Sequence, residues 1–311
     1  EPWLRVPCDY RDPQRRGGAY EVYWCAESRF GQVMPRPSAA EVAESYEVTG
    51  YYTHENGAPA PARLSLANRV LQHLAWRADA GAHIDAAALK PFVDRGGSRI
   101  CDIGCGAGTL LEAAIAAGFT TAVGIESDPS ARAAAARKGL AVYAGTAEQL
   151  PLEAQARRFD LVLMSHVLEH TLSPVQALRN AAGLLEPGGS MMIEVPNNEA
   201  CGLDFAGNCW CWLDVPRHLN FFTTTSLRSI CRLVGLEPRN MEYAGYSRQF
   251  SVEWQANQAY IHSIFASVPG GGGAAKPSPL SYWHLLARTV FATPERKYDS
   301  VRAWAQKVHD Q

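Results

Sequence analysis

The 311-residue chain is 47% hydrophobic and 19% charged, and 29 basic against 31 acidic side chains give a formal net charge of −2. That composition supports a large buried core and excludes global disorder. It also lacks the basic face that nucleic-acid binding needs.

No apolar run reaches the roughly 18 residues of a membrane helix. Glu1-Pro2-Trp3 opens a polar, arginine-rich stretch rather than an apolar leader. The eight cysteines are scattered through a chain too large to need disulfide staples. The reading is a reduced, cytoplasmic protein.

Residues 1–60 are rich in Pro, Gly, Arg and Tyr and read as an irregular cap with at most short strands, such as 20–24. Ser38 and Glu41 stand at capping-box spacing and predict a helix over 38–46. "GAPAPA" (57–62) reads as a hinge. Apolar residues at helical spacing predict a helix over 63–77, and a second is expected at 83–94. Short apolar runs then alternate with helical segments. Strands are expected at 99–104, 121–126, 140–145, 159–165, 190–195 and 236–244, with helices at 108–117, 129–138, 174–185 and 225–235. This alternation is the signature of a parallel βαβ sheet. "PGGGGAAKPSP" (269–279) reads as a linker before helices at 280–291 and 296–309. Three units follow: a cap (1–60), a cofactor-binding domain (61–250, with an insertion at 196–222) and a helical C-terminal extension (251–311).

"CDIGCGAGTLLEAA" (101–114) carries the strongest chemistry. A strand ends at Asp102, glycines follow at 104, 106 and 108, and a helix begins at once. A dinucleotide fingerprint needs a third glycine where Thr109 stands. The spacing is instead D-x-G-x-G-x-G. A carboxylate at Asp102 suits a cationic amino group and would repel a pyrophosphate. Glu126, closing the next strand, is placed to accept hydrogen bonds from both hydroxyls of a ribose. "GTAEQLP" (145–151) follows the third strand, where it would flank an adenine. A cationic amino acid, a ribose and an adenine together describe S-adenosylmethionine.

The motifs "DIGCGAG", "GIESD", "GTAEQLP", "FDLVLMSHVLEH" and "LLEPGG", in this order over about 99–195, resemble those of class I S-adenosylmethionine-dependent methyltransferases. The resemblance implies a Rossmann-like, doubly wound, mostly parallel seven-stranded α/β sheet. It implies cofactor contacts from Asp102, Gly104, Cys105, Gly106, Glu126, Ser127, Thr146, Ala147 and Ser165, and S-adenosylhomocysteine as product. The family often has Asp where Thr146 stands, so Thr146 Oγ or the backbone near Ala147 is expected to meet the adenine instead. His166, after the fourth strand, is a candidate base. Quinone-biosynthesis O-methyltransferases carry a pair similar to Glu169-His170, associated there with a divalent metal. Packing and capping are the alternative, and no metal is expected.

The N-terminal cap resembles that of bacterial small-molecule and sugar methyltransferases, which begin with two C-x-x-C knuckles. Here Cys8 and Cys25 keep the first positions, but Arg11 and Ser28 occupy the second. Two thiols do not make a tetrahedral zinc site, so a metal-free relic of a zinc ribbon is expected. Tyr51 and Tyr52 form either a lid, with Tyr52 near the acceptor, or core packing.

"NCWCWLDVPRHLNFF" (208–222) resembles the W…D-x-P-R-H-L…F-(S/T) stretch of the same group. It implies an acceptor wall of Trp210 and Trp212 with Arg217 and His218 as its polar points. His218, like His166, is a candidate base. The bland alternative pairs Arg217 with Asp214 and lets His218 cap a turn. Cys201, Cys209, Cys211 and His218 are a zinc set on paper, but C-x-C departs from common zinc spacing.

The function read from the chain is methyl transfer to a small-molecule acceptor, with a hydroxyl of a sugar or secondary metabolite first. N-methylation of an amino sugar or peptide, a non-catalytic cofactor binder and a nicotinamide oxidoreductase are the competing classes. No nucleic acid or membrane partner is expected, and a homodimer is left open.

Overall fold

The computed structural model describes residues 1–13, 18–46, 65–268 and 278–308. Tyr51, Tyr52, the 57–62 hinge and most of the 269–279 linker lie outside these residues. Among the described residues eleven strands form two sheets. The first is antiparallel, ordered β1 (Pro2–Val6), β2 (Tyr20–Cys25), β3 (Phe30–Met34) and β9 (Asn220–Phe221). In the described part of the expected cap, three short strands form an antiparallel meander, closed by a strand from the 208–222 stretch. Alternation in β2 and β3 turns Val22 and Val33 inward.

The second sheet has seven strands, ordered β10 (Leu236–Ala244), β11 (Ser300–Lys307), β8 (Leu185–Pro196), β7 (Phe159–Ser165), β4 (Arg99–Ile103), β5 (Thr121–Glu126) and β6 (Ala141–Ala144). β6, β5, β4, β7 and β8 run parallel, and β11 is antiparallel to both its neighbours. The chain winds outward from β4 through β5 to β6, then returns to the other side of β4 with β7. That reversal opens a crevice at the C-terminal ends of β4 and β7. Both faces are buried, as the continuous apolar runs require. Cys101, Ile103, Val162 and Met164 enter one core, and Ile100, Leu161 and Leu163 enter the core on the opposite face.

The expected helix over 296–309 is overturned. A short helix, Pro294–Lys297, precedes a strand that fills the gap between β8 and β10. The segment "SVRAWAQK" is rich in residues with good helix propensity. Tertiary context overrides them. Val301, Ala303 and Ala305 alternate into the core. On the other face Arg302 lies opposite both Glu194 and Glu242 and binds each. The C-terminal extension thus contributes a strand to the main sheet.

Deleting residues 299–311 would expose two long strand edges and leave Glu194 buried without its guanidinium. The truncated chain should lose cooperative thermal unfolding and aggregate. A soluble truncation with a sharp melting transition would contradict this placement of β11.

Candidate functional site at the switch point

The loop after β4 is shaped by backbone needs. Gly104 (φ +74°) is required twice over, because a Cβ there would lie 2.3 Å from Val167 Cγ2. Gly106 (φ +53°) differs, since a Cβ on it would meet nothing within 4 Å. Of these two, only Gly106 borders open space where a ligand can approach. Cys105 is buried, and its sulfur fills the space a Cβ on Gly124 would need.

Two carboxylates flank this loop. Glu126 Oε2 accepts from the Gly106 amide at 2.9 Å, and Oε1 accepts from the Asp128 amide at 2.8 Å and the Ser127 hydroxyl at 3.3 Å. Each oxygen has capacity for further donors. Asp102 is 2% exposed. Burial, and then the charge of Glu126, push its carboxyl up to about 8. No cation is paired with either acid among the salt bridges of the described residues, so the pair is prepared for a positive ligand. Thr146 Oγ1 accepts from the Gln149 amide at 3.0 Å, which fixes the turn after β6. Ala147 is buried beside it.

Ser165 ends β7 opposite Glu194. The next residue, His166, sits at φ +54°, a strained conformation for a side chain of this size. Its amide donates to the Glu194 carbonyl at 2.9 Å, and its ring lies between two acids. Nδ1 is 3.1 Å from Glu169 Oε1, and Nε2 is 3.5 Å from Glu194 Oε1. Burial disfavours the charged ring, but hydrogen bonds and charges from both acids outweigh it and raise His166 to about 9. The imidazolium stacks on Trp212 at 4.7 Å between centroids. A ring held between two carboxylates is drawn towards its charged form, which makes His166 the weaker of the two candidate bases.

His218 is the opposite case. Burial, and then neighbouring His170, push it down to about 4. Its Nδ1 is 2.7 Å from the Trp212 carbonyl, an acceptor, so Nδ1 carries the hydrogen and Nε2 keeps its lone pair. His218 packs edge-on against His170, at 4.6 Å between centroids. One ligand-capable atom from each of Glu169, His170 and His218 lies within 4.8 Å of the others. Among the described residues no cysteine joins such a group, and all eight cysteines are free.

Arg217 does not face a substrate. It is fully buried and makes a two-pronged contact to Asp9 at 2.6 and 2.8 Å. Nε bonds Asp214 at 3.1 Å, NH2 lies 3.0 Å from the same oxygen, and NH1 also bonds the Ser45 carbonyl. Those contacts occupy its donors, so its substrate role is corrected to a structural one. Arg11 adds a second cation to Asp214, at 2.9 Å. Burial opposes the charge on Asp214, but Arg217 and Arg11 hold it well below the usual carboxylate range. Trp210 is likewise removed from the acceptor wall: it is 1% exposed, in the core between the antiparallel sheet and helix Val252–Ser267. Trp212 does reach the rim, with the Arg248 guanidinium 4.8 Å from its ring centroid.

Sequence reasoning missed Glu194, Arg248 and Arg302. Glu194 had a signal, an acid inside the apolar run "SMMIEV". Arg302 was hidden in the misread helix, and nothing local marks Arg248. A cavity of about 590 Å³ lies at the opposite, N-terminal end of the sheet, around Phe92, Asp160 and Trp304. It is remote from these groups.

In chelator-treated protein, ring NMR should show His166 charged until about pH 9 and His218 neutral down to about pH 4. His166, raised above its ordinary 6.5, stabilises fully below that pH and loses its contribution as pH rises through 9. His218 is depressed, so stability is lost as pH falls from 6.5 through 4. Two rings titrating together near 6.5 would refute the assignment.

Residues 67–240 match the family described as a methyltransferase domain. A ubiquinone biosynthesis O-methyltransferase of Parvibaculum lavamentivorans is 35% identical over 130 residues, 41% of this chain and 50% of that protein. One from Cereibacter sphaeroides is 31% identical over 198 residues, 59% of this chain and 77% of the relative. One from Dinoroseobacter shibae is 34% identical over 182 residues, 54% of this chain and 71% of the relative. The chain spans about half the length of the first of these curated relatives. The family match covers more than half of the chain, along an α/β sheet with its acids and glycine loop at the switch point. The chain belongs to the methyltransferase-domain family, with the Rossmann-like class I fold.

Proposed function

We propose that this protein transfers the methyl group of S-adenosylmethionine to a hydroxyl oxygen of a small molecule. The observation that carries the cofactor half is the unneutralised acid pair Asp102 and Glu126 around the open face of Gly106. Asp102 takes the ammonium group. Glu126 accepts the ribose hydroxyls while its Gly106 and Asp128 bonds hold it still. Thr146 Oγ1 has a further lone pair for the adenine amino group. Ser165 and the His166 backbone border the methionine part, with Cys105 contributing main chain only.

Methyl transfer is an in-line displacement: the carbon–sulfur bond breaks as a carbon–oxygen bond forms. Most of its acceleration comes from holding the oxygen on the line of attack and excluding water. A hydroxyl must also lose its proton. The Glu169–His170–His218 cluster offers basic atoms on the acceptor side, whereas His166 lies between two carboxylates that favour its charged form. The relatives' names support O-methylation, and their acceptors belong to ubiquinone biosynthesis. A sugar or secondary-metabolite hydroxyl is the other acceptor class for this chain. The Glu169-His170 pair also fits the divalent metal implied by the resemblance to quinone O-methyltransferases, because the buried Glu169 Oε2 has no hydrogen-bond partner. Such an ion would polarise the acceptor hydroxyl.

Asp102 must ionise to hold the ammonium group. With its carboxyl at about 8 in the empty site, cofactor binding at pH 7 releases a proton, and affinity rises with pH until about 8. Calorimetry in buffers of different ionisation enthalpy should show this release, and Asp102→Asn should abolish it with at least about a tenfold loss of affinity. Cofactor carrying a labelled methyl, offered with phenolic and sugar hydroxyl acceptors, should give labelled methoxyl product. No cofactor binding, or label found only on nitrogen, would overturn the reading.

A further inference from the structure

We infer that His218 completes a divalent-metal site with Glu169 and His170, assembled from two separate segments of the chain. The pair's position is what the quinone O-methyltransferase resemblance implies, whereas the third ligand is this chain's own. The inference rests on the methyl-transfer reading for the site's use, not for its existence.

Hydrogen bonds fix which atoms are free. A backbone carbonyl can only accept. His218 Nδ1 therefore donates to the Trp212 carbonyl at 2.7 Å, and His170 Nδ1 donates towards the Arg217 carbonyl at 3.2 Å. The Tyr46 hydroxyl oxygen, 2.8 Å from the same His170 nitrogen, is a second acceptor. Both rings keep the Nε2 lone pair. An imidazole whose far N–H is anchored on a carbonyl is the arrangement that orients histidines on metals.

Glu169 supplies the charge. Its side chain is fully buried, Oε1 is held by His166 Nδ1 at 3.1 Å, and Oε2 has no hydrogen-bond partner. A buried anionic oxygen without a donor is costly unless a cation faces it. His166 is not a ligand in this arrangement, since its Nδ1 is spent on Glu169 and its Nε2 faces Glu194. It orients the carboxylate from outside the site.

One carboxylate and two imidazoles suit zinc, manganese or ferrous iron rather than calcium or a thiolate-selective ion. Ligand atoms around such an ion lie roughly 3.3 Å apart. The cluster, within 4.8 Å, needs only side-chain adjustment to close. Three protein ligands leave a position for an acceptor oxygen.

The supply of His218 follows from the fold. Glu169 and His170 follow β7, whereas His218 lies in the stretch after β8. That stretch is fixed beside the pair by the Leu219 amide, which donates to the Glu169 carbonyl at 2.7 Å, and by Asn220, which caps the Leu168, Glu169 and Thr171 carbonyls.

The test uses the full chain, stripped with chelator and dialysed against Zn²⁺ or Mn²⁺. Wild-type protein should retain one equivalent by elemental analysis, and Co²⁺ loading should give visible absorption without thiolate charge transfer. His218→Ala and Glu169→Gln should each weaken Zn²⁺ binding by more than about tenfold. Circular dichroism and cofactor affinity should show them folded. If His218→Ala does not fold, Zn²⁺ added to wild type should shift the His218 ring resonances. Wild-type protein that retains no metal, His218→Ala with unchanged affinity, or an unshifted His218 ring would overturn the site. Methyl transfer that persists after chelation would count against the site's use and leave the transfer reading standing. Metal binding without transfer would do the reverse.

Discussion

The candidate site depends on one buried guanidinium. Arg217 has no exposed surface, and it joins Asp9, Asp214 and the Ser45 carbonyl. Removing one partner of such a buried ion pair costs about 3–5 kcal/mol, because the remaining charge stays buried alone. The clamp therefore fixes the N-terminal segment against the stretch after β8. Its neighbour His218 is held by the same turn, whose amides at 217 and 218 both donate to the Asp214 carbonyl. β9 completes the tie by pairing with β3. The antiparallel sheet is thus a brace for the Glu169–His170–His218 cluster.

The cofactor side rests on a different physical arrangement. A parallel sheet reverses direction beside β4 and opens a crevice, and the loop there approaches a ligand with little more than backbone. Two acids share this buried crevice with no salt-bridged cation among the described residues, and burial and then the charge of Glu126 push Asp102 up to about 8. In the proposed function a sulfonium-bearing amino acid supplies a positive charge to this pair. Across the crevice, acids and bases compensate one another: Glu194 and Arg302, Glu169 and His166, Asp299 and Arg248. The two halves of the site thus differ in charge before any ligand arrives.

Much of this was legible in the chain. Strand and helix placement from 99 to 244 followed from apolar runs and caps, because a buried parallel sheet imposes both. Spacing also singled out Asp102, Gly106 and Glu126, which the fold brings together around one loop and which are the proposed cofactor contacts. The acceptor side was not. Whether Arg217 meets a substrate or Asp9 depends on a partner some two hundred residues away, which no local pattern encodes. The charge states of His166 and His218 depend on Glu194 and on burial, both set by packing. β11 was misread because Ala, Arg, Gln and Lys favour helices, and only the gap between β8 and β10 makes the segment extended. Trp210 and Trp212 are two residues apart, yet one is core and the other lines the rim.

If the clamp is what holds the acceptor side together, Asp9 and Arg217 must be energetically coupled. A double-mutant cycle of Asp9→Asn and Arg217→Met, read from denaturant unfolding, measures this directly. The expected coupling is about 2 kcal/mol or more, with the double variant more stable than the sum of the single losses predicts. Additive losses, within about 0.5 kcal/mol, would contradict the account.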